Sequence, residues 1–256
     1  MRQSIGIALL FAATAAFAGG HHDCRFEEPR RLASPASGIT KIVVRGVSGS
    51  LHVDGRSGVS EVVAAGTACT SDKDLLNDIN LTARKSGSTL FIEAHVPEHD
   101  NFSFWDEASL DFGVVVPQGV AIEVHDGSGS TKVTNVGSTK IEDGSGSLTI
   151  ENIRGDLEVT DGSGEIDIEG VSGNVTIDDG SGDITIANVE GNVEIEDNSG
   201  SIDVEHAKRN VLIRDDGSGS VDVNDVAGDF TVRSKGSGGV RYAKIGGRVS
   251  VPRDDD

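Results

Sequence analysis

Aspartate residues recur at nearly constant spacing in the second half of the chain, each followed by Gly-Ser-Gly or a close variant. Successive copies lie 17 to 19 residues apart: Asp126, Asp143, Asp161, Asp179, Asp197 and Asp216. If the repeats stack at strand spacing, the carboxylates lie about 5 Å apart and could bridge Ca²⁺, with Asp143, Asp161 and Asp179 as the candidate ligands. The alternative, which we favour, is a local turn with the following backbone at an exposed corner, where water screens the charges.

The N-terminus offers a second set of metal ligands. Residues 1–18 are typical of a secretory signal peptide, with one early positive charge, an apolar run and small residues before the cleavage position. Cleavage after Ala18 would leave Gly19-Gly20-His21, whose amine, amides and imidazole suit Cu(II), and His22 adds a nitrogen. The alternative, again favoured, is a flexible tail over residues 19–38. No cofactor is expected beyond these two metals.

Two further groups of residues stand out. Cys24 and Cys69 are the only cysteines, and an even count in an exported chain favours one disulfide, with two separate thiols as the alternative. Phe102, Phe104 and Trp105 concentrate rings in a chain that is only 4% aromatic. They are candidates for binding a sugar ring or an apolar patch of a partner. Packing over an open flank of the fold is the favoured alternative.

Charge and composition exclude several classes of function. Acidic residues outnumber basic ones 42 to 22, which gives a net charge of −20 and argues against nucleic-acid binding. No segment after the signal peptide is long and apolar enough to be embedded in a membrane. The carboxylates recur along the chain with the repeats, as they do on solvated faces. No acid and base can be paired in the sequence as the catalytic groups of an active site, so we predict that the protein is not an enzyme.

The elements that must position these residues repeat about every 18 residues. One repeat carries apolar residues at Ile166, Ile168, Val171, Val175 and Ile177, and the same five positions are apolar in every repeat from residue 148 onward. Apolar pairs two residues apart have strand spacing, and glycines mark the turns between them. The pattern predicts an all-β fold, a single-stranded parallel β-helix (β-solenoid) with about 18 residues per coil. We expect a right-handed coil, because parallel crossovers take that hand.

The N-terminal half is less regular. Residues 39–65 resemble a decayed coil, Ser71 to Ile79 has the pattern of a short helix, and residues 79–83 and 89–96 flank a hairpin turn. We therefore expect one β-solenoid domain over residues 39–251, with regular coils over 120–251 and an acidic tail at 252–256.

A signal peptide, the Val47-Ser-Gly-Ser coil, the Val116-Pro-Gln-Gly turn and the Gly-Ser-Gly-x-apolar-x-apolar coils occur together in this chain. Over residues 39–251 the combination resembles a bacterial putative-adhesin family of unknown function, exported β-strand-repeat proteins akin to autotransporter-adhesin head domains. The resemblance implies a β-solenoid in the cell envelope, with no established enzyme chemistry.

The expected function is that of a noncatalytic, monomeric, adhesin-like interaction or scaffold module in the periplasm or at the surface of a bacterium, with an envelope protein or glycan as partner. A periplasmic metal- or small-ligand-binding protein is the alternative, and a polysaccharide-active enzyme is a third.

Overall fold

Two long β-sheets face each other across one apolar core and form a parallel β-solenoid of about seven turns, with roughly 18 residues per coil. The computed structural model describes residues 24–97 and 108–252. Within these ranges the chain forms strands and turns but no helix, so no helix there could span a membrane. The predicted all-β solenoid is confirmed, while its right-handedness stays a prediction.

The strands of the described residues fall into an irregular and a regular group. The irregular group is β1 (Phe26–Pro35), β2 (Lys41–Arg45), β3 (Leu51–Arg56), β4 (Glu61–Thr70), β5 (Asn80–Ser86), β6 (Thr89–His95) and β7 (Ala108–Pro117). The regular coils contain β8 (Ala121–Asp126), β9 (Gly129–Thr134), β10 (Thr139–Asp143), β11 (Gly146–Ile153), β12 (Leu157–Asp161), β13 (Ile166–Val171), β14 (Val175–Asp179), β15 (Ile184–Val189), β16 (Val193–Asp197), β17 (Ile202–Ala207), β18 (Val211–Ser218), β19 (Val221–Val226), β20 (Phe230–Val232), β21 (Lys235–Ser237), β22 (Val240–Ile245) and β23 (Val249–Ser250).

Each regular coil gives one strand to each sheet, and like residues stack along the rod. Ile166 of β13, for example, lies in register with Leu148 on one side and Ile184 on the other. These aliphatic side chains are almost completely buried. Full burial of one such side chain stabilises the fold by about 1.5–3 kcal/mol, so each coil depends on its neighbours to cover its apolar face.

The order of the coils in space differs from their order in sequence. Strands β2 and β3 pair with β8 and β9 on one side and with β6 and β7 on the other. The predicted decayed coil within residues 39–65 is therefore a real coil, but it lies between two coils that come later in the chain. The predicted hairpin is also confirmed, since β5 and β6 pair in antiparallel fashion.

Antiparallel strands cover the N-terminal end of the rod. Strand β1 pairs with β4 over ten residues, and β4 pairs with β7. The expectation of a flexible tail over residues 19–38 is therefore wrong for residues 26–35. The Cys24–Cys69 disulfide, predicted from the cysteine count, joins the start of β1 to the end of β4 across a Cα–Cα distance of 5.4 Å. The disulfide joins two residues that are 45 positions apart in the sequence.

Residues 71–79 form tight turns instead of the predicted helix. The amides of Leu75 and Leu76 donate to carbonyls three residues earlier, at 3.2 and 3.3 Å, which is 3₁₀-type spacing. Leu75 and Ile79 are nevertheless buried, as the apolar pattern predicted. The Arg30 guanidinium of β1 donates to the carbonyls of Leu76 at 2.6 Å and Ile79 at 2.7 Å, and so holds these turns against the end of the rod.

Replacement of Arg30 tests this cap. Arg30→Ala removes both hydrogen bonds to the turn, and we expect the free energy of unfolding to fall by about 2 kcal/mol. Urea denaturation followed by circular dichroism measures the change. The neighbouring Arg31 is exposed, so Arg31→Ala serves as the control and should stay within about 0.5 kcal/mol of wild type. Equal losses in the two variants would contradict the proposed role of Arg30.

Candidate functional site

The repeated Asp-Gly-Ser-Gly segments form the corner at which the chain passes from one sheet to the other. Each aspartate ends a strand of the sheet that contains β8, β10, β12, β14 and β16, or lies near the end of β18 in the same sheet. In β14 the alternating burial puts Val175, Ile177 and Asp179 on the inner face, whereas Thr176 and Asp178 are exposed. The carboxylate therefore occupies a core-facing position, and the chain turns only after it.

The six aspartates are buried, which makes the expectation of an exposed corner wrong. Their exposed fractions range from 9% for Asp126 to 0% for Asp179. Each lies in register with the aspartate of the next coil along the rod. We call this row the aspartate ladder: Asp126, Asp143, Asp161, Asp179, Asp197 and Asp216.

Few hydrogen-bond donors reach the ladder. Both carboxylate oxygens of Asp143, Asp161 and Asp179 are shielded from solvent and accept no hydrogen bond of ordinary geometry. At one end of the row Asp126 accepts a bond from the Thr131 hydroxyl at 2.9 Å. The predicted local turn bond forms at Asp197, whose Oδ1 accepts from the amide of Ser199 at 3.0 Å. The ladder thus combines burial with unsatisfied acceptors, an energetically costly state for ionised carboxylates.

Burial raises the pKa of every carboxyl group in the ladder. Desolvation is the largest cause, and repulsion from neighbouring carboxylates adds to it, so that the pKa of Asp143 and of Asp179 rises to about 7. The pKa of Asp197 rises to about 6. The amides of the following glycine and serine face the carboxylates of Asp161 and Asp179 and offset part of the rise. Asp143 and Asp179 therefore release their protons at a higher pH than an ordinary aspartate does.

The structure gives no support to calcium at Asp143, Asp161 and Asp179. Within the described ranges, no three His, Cys, Asp or Glu side chains are grouped so as to hold a metal ion. The residues that share the inner face with a ladder member in its own strand, such as Val175 and Ile177 beside Asp179, are aliphatic and offer no oxygen to Ca²⁺, which takes six to eight. His21, His22, Phe102, Phe104 and Trp105 lie outside the described residues, so copper binding and aromatic recognition stay predictions.

A second polar row, not identified from the sequence, runs along the other corner of the coils. Asn192 donates its backbone N–H and its Nδ2 to Oδ1 of Asn174, both at 3.0 Å. Asn210 does the same to Oδ1 of Asn192, at 3.2 and 3.1 Å. The row, which we call the asparagine ladder, consists of Asp156, Asn174, Asn192, Asn210 and Asp229. Its sequence signal is a polar residue at every corner opposite the aspartates, spaced by 18 or 19 residues.

Acidic side chains dominate the surface of the middle coils. Residues 155–207 contain 15 aspartates and glutamates but no lysine or arginine. Cations from the next coil reach part of this surface, as when Lys208 contacts Glu190 at 2.5 Å and Arg214 contacts Glu194 at 2.9 Å. The acidic side chains that are not paired with a cation give this surface a negative potential, which attracts cationic surfaces and repels anionic polymers.

A model of the Toastrack DUF4097 family matches residues 61–244, well over half of the chain. This match confirms the resemblance drawn from the sequence motifs. No curated protein matches the chain.

Solved structures that resemble the chain are distant from it. A putative lipid binding protein from Parabacteroides distasonis is 16% identical, with a TM-score of 0.45, and the match covers 88% of this chain and 97% of that one. A putative adhesin from Bacteroides fragilis is 13% identical, with a TM-score of 0.42 and coverage of 87% and 96%. A putative cell adhesion protein from Clostridium sporogenes is 13% identical, with a TM-score of 0.36 and coverage of 88% and 100%. Similarity at this level carries no inference about function.

Glycine is required where the aspartate corners stack. Gly164 has a φ of +141°, and a Cβ at this position would overlap the carbonyl oxygen of Gly146 in the adjacent coil. We expect Gly164→Ala to lower the free energy of unfolding by about 3 kcal/mol or more, measured by urea denaturation. Gly58 also has a positive φ, of +73°, but open space around it, so Gly58→Ala should cost only about 1 kcal/mol. A comparable loss in both variants would assign the effect to φ alone.

The asparagine ladder is tested at its centre. Asn192→Ala removes the Oδ1 that accepts two hydrogen bonds from Asn210 and the Nδ2 that donates one to Asn174. We expect the free energy of unfolding, measured by thermal or urea denaturation, to fall by about 1–3 kcal/mol. Asn192→Asp keeps the acceptor for Asn210 and loses only the donor to Asn174, so its loss should be smaller. The interpretation fails if the aspartate variant is as unstable as the alanine variant.

Proposed function

We propose that this chain, which belongs to the Toastrack DUF4097 family, is a noncatalytic interaction or scaffold module exported to the cell envelope of a bacterium. The observation that carries the proposal is the pair of extended outer faces, on which the same outward positions recur from coil to coil in register. Extended surfaces of stacked repeats are suited to contact with large partners. We propose a monomer with an envelope protein or glycan as its partner.

The placement of the perturbed groups supports a noncatalytic role. Strongly shifted pKa values usually mark catalytic sites, where an acid or base meets a substrate. Here the carboxyl groups with pKa values of about 7, Asp143 and Asp179, lie inside the core with exposed fractions of 8% and 0%. A substrate cannot reach these carboxyl groups without opening the stack of coils. Their raised pKa values are therefore a consequence of burial in the fold and do not mark a catalytic site.

The disulfide supports export. Stable disulfides form in oxidising compartments such as the periplasm or the cell exterior. Cys24 lies a few residues after the predicted cleavage position at Ala18, and its bridge to Cys69 fastens the N-terminal strands β1 and β4 to each other. The acidic middle coils further favour a partner with a basic surface, because like charges would repel an acidic glycan.

Fractionation followed by crosslinking in intact cells tests this function. We expect the processed chain in the periplasmic or surface fraction and covalent capture of an envelope component. Exclusive cytoplasmic recovery would contradict the proposal, as would a crosslinked sample that contains this chain alone.

Charge-neutralising variants test the acidic surface. Asp203→Asn with Glu205→Gln removes two exposed acids from the middle coils, and capture of the partner should fall several-fold. Glu27→Gln with Glu61→Gln makes the same change of charge at exposed positions of the N-terminal cap and should leave capture unchanged. Equal effects would show that only net charge matters.

A further inference from the structure

We propose that the aspartate ladder is a row of shared protons, in which neighbouring carboxyl groups hydrogen-bond between successive coils and make the rod more stable in mild acid than in mild alkali. The proposal concerns the core and goes beyond the interaction function of the outer surface. It depends on three features of the row, namely its register, its enclosure and its shortage of donors.

Register brings the carboxyl groups within reach of one another. Asp143, Asp161 and Asp179 are direct partners in adjacent parallel strands, and such strands lie about 4.8 Å apart. Side chains stacked at this spacing can hydrogen-bond between coils, as those of the asparagine ladder do at the turns of the other corner. The two rows therefore share the spacing of the coils but differ in hydrogen-bonding chemistry.

The difference lies in the supply of donors. An asparagine side chain both donates and accepts, so a row of asparagines satisfies itself. An ionised aspartate only accepts, and the oxygens of Asp143, Asp161 and Asp179 are shielded from solvent and meet only the amides of their own turns, which link nothing between coils. A protonated carboxyl group gains one donor. Alternating protonated and ionised members can then bond to each other, as two carboxylates that share a site commonly do.

Charged and polar groups meet the ladder chiefly at its ends. Burial raises the pKa of Asp216 at one end, Asp215 adds to the rise, and Lys235, which lies in register with Asp216, offsets part of it. Burial also raises the pKa of Asp197, and repulsion from Asp216 and Asp183 adds to this rise. At the other end Thr131 donates to Asp126, and Gly46 leaves room for the carboxylate, since a Cβ there would overlap its Oδ1. The central members face one another, aliphatic side chains and the amides of their own turns.

The direction of the pH effect follows from proton binding. A carboxyl group whose pKa rises from 3.8 in the unfolded chain to about 7 in the fold binds more protons when folded. The free energy of unfolding therefore falls as the pH rises from about 4 to about 7. Burial lowers the pKa of His52, which has the opposite effect as the pH rises through its ordinary value of 6.5. The pKa values of Asp54 and Glu123 are lowered from 3.8 and 4.5, so these acids add stability as the pH rises toward about 5 and little above it.

Thermal unfolding of the full chain tests the proposal with a matched pair of variants. For wild type we expect the midpoint to fall by roughly 5–10 °C between about pH 5 and about pH 8. Asp179→Asn replaces a central ladder member by a neutral donor of the same shape, and should reduce this fall and raise the midpoint at about pH 8. Asp178→Asn makes the same change of charge at the exposed neighbouring position and should behave as wild type.

Several outcomes would overturn the proposal. A wild-type midpoint that stays constant or rises over this range removes its premise, and an equal response of the two variants would assign the effect to general charge repulsion. If millimolar Ca²⁺ raised the midpoint of wild type but not of Asp179→Asn, the row would be a metal site instead.

If Asp179→Asn fails to fold, infrared spectroscopy of the wild-type protein still decides. The carbonyl band of protonated carboxylic acids should persist at about pH 6, above the ordinary aspartate range, and vanish on unfolding. Absence of that band at this pH would refute proton sharing.

Discussion

Parallel stacking in register is the constraint on which the rest of this structure depends. Because every coil lies directly on the next, each side chain meets the residue at the same position one repeat away, at about 4.8 Å. Aliphatic residues such as Ile166 gain from meeting their own kind, since each covers the other's apolar surface. A glycine such as Gly164 is needed where backbones meet at a corner. The same constraint that builds the core therefore also brings like charges together.

The regular coils could be predicted from the sequence because stacking leaves a direct trace in it. Repeated apolar positions such as Ile166 and Ile168 identify two strands per coil without knowledge of long-range contacts. The end of the rod leaves no such trace. Nothing local shows that β2 and β3 lie between coils formed later, or that residues 26–35 pair with β4, since both depend on which distant strand fills an open edge.

The burial of the aspartates was predicted wrongly for a local reason. An Asp-Gly-Ser-Gly string resembles an exposed turn, but the position of the turn relative to the strand decides which way the aspartate points. Asp179 follows Val175 and Ile177 at intervals of two, so strand alternation directs it inward before the chain turns. The interval of two from Ile177 to Asp179 is the signal in the sequence for this inward position. The asparagine ladder leaves a weaker signal, because a polar residue at a corner is already explained by its turn and shows nothing of its partner in the next coil.

The two corner ladders show how composition decides the behaviour of a stacked row. In the asparagine ladder, acids occur where donors come from the adjoining coil: Asp156 accepts from Asn174, and Asp229 accepts from the amide of Arg248 at 2.7 Å. An ionised acid is satisfied at such positions. In the aspartate ladder the interior members lie between other acids, and a donor that links one coil to the next has to be a proton on a carboxyl group. A row of asparagines would form its hydrogen bonds at any pH. A row of aspartates instead makes the stability of the stacked coils depend on the pH of the compartment that contains the protein.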